Sequence, residues 1–305
     1  MTEIITSKYN LNISKEKVRQ ALLTVDPDGV EARRNKTIKR RIYEAAGPMD
    51  VMHIDGNDKL KRFGFSVHGA IDGFSRKLLW LVVSTTNKDP IVIANLYLRC
   101  VYVHGTAPNT LRMDLGTENV YCEDLQTFFT GDEDSFLYAG STRNQRIESF
   151  WSRLKKFRLS WWINFFCDMI DRHIFLPANV FHQAALLYSF LPVIQVQLNE
   201  VVSLWNRRNI RQSSSAPGGI PDMLFAMPQT VGLSLQGHSV NSPDIAAAKD
   251  VLGIQHHPVV RDDDIHELFN CYVHINSLEI PRDPDSALSF YVEILALLDN
   301  DGFDV

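Results

Sequence analysis

Three acidic residues stand where they could share a site. Asp55 closes the run His53-Ile54-Asp55-Gly56. Asp114 closes Arg112-Met113-Asp114 and is followed by Leu115-Gly116-Thr117-Glu118-Asn119. Glu148 lies inside Asn144-Gln145-Arg146-Ile147-Glu148-Ser149-Phe150-Trp151. Carboxylates are hard oxygen donors of the kind Mg²⁺ prefers. Two such ions, held about 3.5–4 Å apart, activate an attacking oxygen and steady a leaving one in phosphoryl transfer. With 36 acidic residues in 305, acidic turn residues alone would also give this spacing. No Ser/His or Cys/His nucleophile pair suggests itself.

The flanking patterns place these acids. Segments 51–55, 65–72 and 78–85 are short, rich in β-branched and aromatic residues, and bounded by Gly, Asp or Ser, so they read as strands. Asp89-Pro90 reads as an N-cap with proline at the first helical position, opening an apolar helix over 91–103 that Gly105 ends. Segment 110–114 reads as a buried strand, 117–129 as a helix and 131–140 as a loop; a long helical pattern starts at about Asn144. Three strands followed by alternating helical and strand units predict an α/β fold: a ribonuclease-H-like mixed five-stranded sheet flanked by helices. Asp55 and Asp114 then end neighbouring strands, and Glu148 lies in the first turns of a helix packed on them.

Polar neighbours extend the candidate site. Asn119 and Gln145 could orient a carboxylate or a phosphate, or simply cap helices. Ser152, Lys155 and Lys156 follow Glu148 at i+4, i+7 and i+8, on its side of an ideal helix. With Arg146 they form a candidate contact to a DNA backbone. His53 shares the strand face of Asp55 and reads best as a supporting or packing residue. Asp72 reads best as a turn residue. Asp132, Glu133 and Asp134 compete weakly with Glu148 as a third ligand. The aromatic stripe Trp151, Phe157, Trp161, Trp162, Phe165 and Phe166 reads as core or subunit interface, the apolar run 181–198 as a buried helix, and basic 205–211 as another backbone contact.

Ahead of the sheet, Ser14 caps a predicted helix over 15–25, Asp26-Pro27-Asp28-Gly29 reads as a turn, and a second helix is predicted over 30–43. Six of the nine residues 33–41 are Lys or Arg. Residues 1–44 therefore read as a basic, helix-turn-helix-like arm, with Arg33, Arg34, Lys36, Lys39, Arg40 and Arg41 as candidate DNA contacts. A solvated charged arm is the simpler alternative.

These motifs resemble the integrase catalytic core of retroviruses, retrotransposons and DNA transposases, and most closely a group of metazoan, transposon-derived integrase-core proteins. The resemblance is carried by His53, Asp55 and Gly56; by Ile71-Asp72-Gly73-Phe74-Ser75-Arg76; by Arg112, Asp114 and Gly116-Thr117-Glu118-Asn119; and by Asn144-Gln145-Arg146-Ile147-Glu148. It continues through Trp161–Phe166, Trp205-Asn206 and residues 217–222, and covers roughly residues 10–232. It implies Asp55, Asp114 and Glu148 as a catalytic triad binding Mg²⁺ or Mn²⁺, as two ions. It implies DNA as partner, end cleavage and strand transfer as the reaction, a homo-oligomer, and a nuclear or nucleocytoplasmic location. Met52 stands where the metazoan group carries Trp. The residues ahead of the core hold no His/Cys zinc module of the retroviral kind. Two other readings share the fold: a domesticated relic that binds nucleic acid or protein without catalysis, and a ribonuclease H, which fits 144–148 poorly.

Bulk properties set the frame. The chain is 45% hydrophobic and 22% charged, as globular proteins are. No run of 18 apolar residues is visible, and the first 17 residues lack an apolar signal core, so a location off the membrane and inside the cell is expected. Four scattered cysteines imply thiols, not a disulfide framework. His256, His257, His266, Cys271 and His274 match no zinc spacing. The net charge of −5 is unevenly spread: +4 over 1–44 (10 basic, 6 acidic), +1 over 45–210 (17 and 16) and −10 over 211–305 (4 and 14). Phosphates would favour the first two-thirds. Accordingly 45–212 reads as the core with trailing helices. Residues 213–305 read as a linker and an acidic region, a small module for a protein partner or autoinhibition.

Overall fold

Residues 13–34, 45–138, 144–212, 217–252 and 263–305 are described by a computed structural model. The chain forms two compact units, Met1–Tyr43 and Glu44–Val305.

In the first unit Ser14 caps α1 (Lys15–Val25), accepting from the Lys17 amide at 3.3 Å. The Asp-Pro-Asp-Gly segment is not a free-standing turn. It starts α2 (Pro27–Arg34): Asp26 Oδ1 accepts from the Gly29 amide at 2.9 Å, and Pro27 takes a position where no backbone donor is needed. The remainder of the predicted second helix, with Lys36, Lys39, Arg40 and Arg41, lies outside the described residues.

The second unit is built on five strands: β1 (Val51–Asn57), β2 (Ser66–Asp72), β3 (Leu78–Ser84), β5 (Thr110–Met113) and β6 (Phe136–Tyr138). Their order is β3-β2-β1-β5-β6. The first three are antiparallel, with Asp55 opposite Gly69. β5 runs parallel to β1, with His53 opposite Arg112, and β6 runs parallel to β5. This is the ribonuclease-H-like mixed sheet the sequence predicts. Its fifth strand falls within the segment read as a loop. A separate two-residue ribbon joins β4 (Thr106–Ala107) to β7 (His238–Ser239).

Strand alternation divides the core in two. One face carries Met52, Ile54, Ala70, Leu111 and Met113 against α3 (Pro90–His104) and α4 (Val120–Thr130). Asp89 caps α3, accepting from the Ile91 amide at 2.9 Å, and Gly105 ends it in the left-handed region at φ 61°. The other face carries Val67, Ile71, Leu81 and Val83 against α5 (Gln145–Leu154), α6 (Ser160–Asp171) and α7 (Val180–Arg207). A π-helical turn, Lys155–Leu159, separates α5 from α6.

By length and composition α7 could cross a bilayer, although the sequence shows no unbroken apolar run. Here its Leu186, Phe190, Val193, Ile194 and Leu198 are buried in the core. Asn206 at its end fixes it to β3, accepting from the Leu78 amide at 2.8 Å and donating to the Leu78 carbonyl at 3.0 Å.

The acidic C-terminal region is not a separate body. α9 (Ser242–Leu252), which follows the short α8 (Pro221–Ala226), packs on α3. α10 (Asp263–Asn276) and α11 (Pro284–Asn300) pack on α7 and bury Phe269, Ala287, Phe290, Tyr291, Ile294 and Leu298 in its core.

Candidate active site

Alternation decides which way the acids face. Met52 and Ile54 point to α3 and α4, so His53 and Asp55 point to the α5 side; Leu111 and Met113 fix Arg112 and Asp114 on that same side. α5 lies there on its apolar stripe, Ile147, Phe150, Trp151 and Leu154, all buried. That orientation leaves Glu148 on a flank, in the first turn, half-buried beside the strand ends.

The three carboxylates feel one another. Burial pushes Asp55 up to about 7, and the charges of Asp114 and Glu148 push the same way. Burial also raises Glu148, with Asp114 adding to it and Lys59 opposing. Burial raises Asp114, with Glu118 adding to it and Lys88 opposing. Hydrogen bonds restrain Asp55: Trp151 Nε1 donates to Oδ2 and the Gly56 amide to Oδ1, both at 2.8 Å. Asp114 is held through its backbone, the Asn119 amide donating to its carbonyl at 2.9 Å.

This donor set fits a divalent cation. Asp114 Oδ1 is buried with no hydrogen-bond partner among the described residues. All three acids are raised in a way that a nearby positive charge would reverse. The side chains are not drawn together, however: no three His, Cys, Asp or Glu among the described residues form a ligating cluster.

A buried amide sets that frame. Asn144 precedes α5; its Nδ2 donates to the Ile54 carbonyl at 3.1 Å, and its Oδ1 lies 2.6 Å from His53 Nδ1. With the amide oxygen as acceptor, His53 carries its proton on Nδ1. Burial pulls the His53 pKa down to about 3, so the ring is neutral. One side chain thereby ties the start of the Glu148 helix to the strand of Asp55.

The other predicted residues scatter. Asn119 is buried, and its side-chain amide donates to the Asp114 carbonyl. Gln145 is exposed and Arg146 half-buried on the flank away from Glu148. Lys155 and Lys156 are exposed and open the π-helical turn that follows α5. Arg33 and Arg34 lie in α2 of the other unit. Asp72 is a buried turn anchor, accepting from the Met49 and Ser75 amides and the Ser75 hydroxyl at 2.6–2.8 Å. Asp132, Glu133 and Asp134 are exposed. Of the aromatic stripe, Trp151, Trp162 and Phe166 are core, whereas Phe157 is 77% and Trp161 50% exposed.

Sequence reasoning missed two cations that act on the acids. Lys59 follows β1 and acts on Glu148. Lys88 pairs with Glu118 at 2.6 Å and acts on Asp114. It also missed Trp151 as a hydrogen-bond donor to Asp55 and Asn144 as a clamp. A lysine just past a strand end, one residue before a helix cap, was the only available signal.

Residues 42–226 match the model of the integrase core domain, more than half of the chain. Among solved structures, the HTLV-2 integrase catalytic core domain in complex with magnesium (trimeric form) is similar at a TM-score of 0.39 and 14% identity, covering 60% of this chain and 99% of that one. The simian T-cell lymphotropic virus intasome in complex with PP2A regulatory subunit B56 gamma gives 0.43 and 13%, covering 76% and 77%. No curated protein matches the sequence.

Proposed function

Because this chain belongs to the integrase core domain family, a polynucleotidyl-transferase-type family, we propose that it cuts and joins DNA strands in a metal-dependent reaction. The observation that carries this reading is that Asp55 and Asp114 share one side of the sheet with the first turn of α5, which bears Glu148, and that Asp114 Oδ1 is buried and unpaired among the described residues.

In this reading Asp55, Asp114 and Glu148 hold Mg²⁺ or Mn²⁺, as two ions. Bound there, the metal supplies the activated oxygen and offsets charge on the leaving one. The chain's own residues prepare the site. Trp151 and the Gly56 amide fix the Asp55 carboxylate, Asn119 fixes the Asp114 backbone, and Asn144 fixes the helix bearing Glu148. Lys59 and Lys88 steady the acids in their charged forms at neutral pH. Exposed Lys155 and Lys156, and the basic arm with Arg33, Arg34, Lys36, Lys39, Arg40 and Arg41, supply non-specific DNA affinity. Joining two ends calls for a homo-oligomer, and a nuclear location belongs to the same proposal.

The relic reading has two observations in its favour. Among the described residues the three acids are not gathered into a ligating cluster, and Asp55 is engaged by Trp151. A nicking and strand-transfer assay with Mn²⁺ or Mg²⁺ separates the two. DNA ends from the gene's own flanks serve as substrate, and wild type is compared with Glu148→Gln. Product that depends on metal and vanishes in the variant supports the enzyme. DNA binding with no product and no calorimetric metal binding favours the relic.

A further inference from the structure

α5 has a second flank. Arg146 and Arg153 are seven residues apart, two turns at 3.6 residues per turn, so they share one side. Glu148 lies roughly 200° round from Arg146, across the buried stripe of Ile147, Phe150, Trp151 and Leu154. The arginine flank meets the end of α7 and the turn after β2.

Trp205 organises the meeting. Its ring packs edge-on against Phe150 at 4.8 Å. The Arg208 guanidinium stacks on it, 3.1 Å from the ring centre, and that of Arg153 lies at 5.7 Å. Its indole N–H donates to the Arg76 carbonyl at 2.8 Å. Arg76 sits in the left-handed region, φ 63°, so this bond holds a backbone that a non-glycine residue rarely adopts. Arg76 Nε is buried without a hydrogen-bond partner.

None of Arg76, Arg153 and Arg208 pairs with a carboxylate among the described residues; the ion pairs there involve other side chains. Burial pulls Arg76 down to about 10, with Arg146 and Arg153 adding to it. Burial likewise pulls Arg208 to about 10, with Arg153 and Arg76 adding to it. Several guanidiniums crowded without counter-charge are costly unless an anion completes the group. Stacking on an indole covers the guanidinium face and leaves its N–H edge presented in plane, the geometry that bidentate phosphate binding uses.

We propose that Arg76, Arg153 and Arg208 form a phosphate-binding site on the flank of α5 opposite Glu148, where a nucleic-acid backbone is gripped away from the bond to be cut. The nucleic acid as the source of phosphate rests on the proposed function; the anion site itself does not.

The test uses the full chain without metal, so that chemistry plays no part. Anisotropy of a labelled 30-base-pair duplex of arbitrary sequence is measured against salt for wild type, Arg153→Gln and Arg153→Gln/Arg208→Gln. Arg153 is exposed, so its single variant guards against misfolding. The double variant is expected to bind about tenfold more weakly and to flatten the log K against log salt slope by about 2, near 0.9 per lost contact. A parallel arm measures the thermal shift given by inorganic pyrophosphate. A shift lost in the double variant while DNA affinity holds keeps the phosphate site but assigns it a free anion. Unchanged DNA affinity, slope and thermal shift in a folded double variant overturn the site. Loss of strand transfer by wild type leaves this result untouched and removes only the catalytic reading.

Discussion

Trp151 covers Gly69 while it holds Asp55. The tip of its ring comes within 2.9 Å of where a Gly69 Cβ would stand, and its indole N–H reaches Asp55 Oδ2 at 2.8 Å. Gly69 is the residue directly opposite Asp55 in the sheet. A missing side chain on β2 is therefore what lets a residue on α5 reach an acid on β1.

Trp151→Phe keeps the ring and removes the donor. Losing a hydrogen bond to a charged group costs about 1–3 kcal/mol, and the Asp55 carboxyl moves above its present value of about 7. Gly69→Ala displaces the ring and produces the same shift. Any metal-dependent rate then has its pH profile displaced to the alkaline side in both variants. A profile unchanged in both would mean that the indole does not tune Asp55.

Asn144→Ala takes one hydrogen-bond partner from buried His53 and one from the Ile54 carbonyl. A loss of about 1–3 kcal/mol in urea unfolding is expected. Amide exchange should quicken in the first turn of α5 more than at its end. Uniform protection along the helix would show that the clamp does not set its position.

Asp55 also makes stability depend on pH. Its pKa is raised from 3.8 to about 7, so the folded protein binds this proton more tightly than the unfolded chain does. That contribution is present at low pH and fades as pH rises from about 4 to about 7. Asp55→Asn should therefore gain in Tm relative to wild type across that window. Divalent cations compete with the same proton, so Mn²⁺ affinity by calorimetry should climb to about pH 7 and then level off. A flat affinity from pH 5 to 8 would contradict the coupling.

Lys88→Met removes a cation that opposes the rise at Asp114 and pairs with Glu118. The lysine is more than half exposed, so solvent screens the effect and Tm should change by under about 1 kcal/mol equivalent. Because Lys88 opposes the rise at Asp114, proton uptake on folding should nevertheless increase. Potentiometric titration of the two proteins measures this directly, and identical curves would remove Lys88 from the site.

Much of this arrangement was legible in the chain. Period-two alternation in 51–55 and 110–114 carries the shared face of Asp55 and Asp114, because buried Met52, Ile54, Leu111 and Met113 occupy the other face. β6 was not legible. It has three residues after an exposed acidic turn, and its pairing with β5 is parallel and non-local. The π-helical turn after Leu154 was not legible either, since the helical residues continue through it without a breaker. The −10 charge of 211–305 gave no sign that α10 and α11 pack on α7, because net charge averages over helix faces and their inner faces are apolar.

The sequence by itself determined the element types, the identity of the three acids and the end of each strand at which they stand, because those follow from local periodicity and capping. Only the tertiary structure decided what surrounds them. Trp151 on α5 reaches Asp55 on β1, Asn144 bonds a residue 91 positions away, and three arginines from three segments meet at Trp205. Contacts of that kind depend on how helices are rotated on the sheet, which packing fixes and local spacing does not encode.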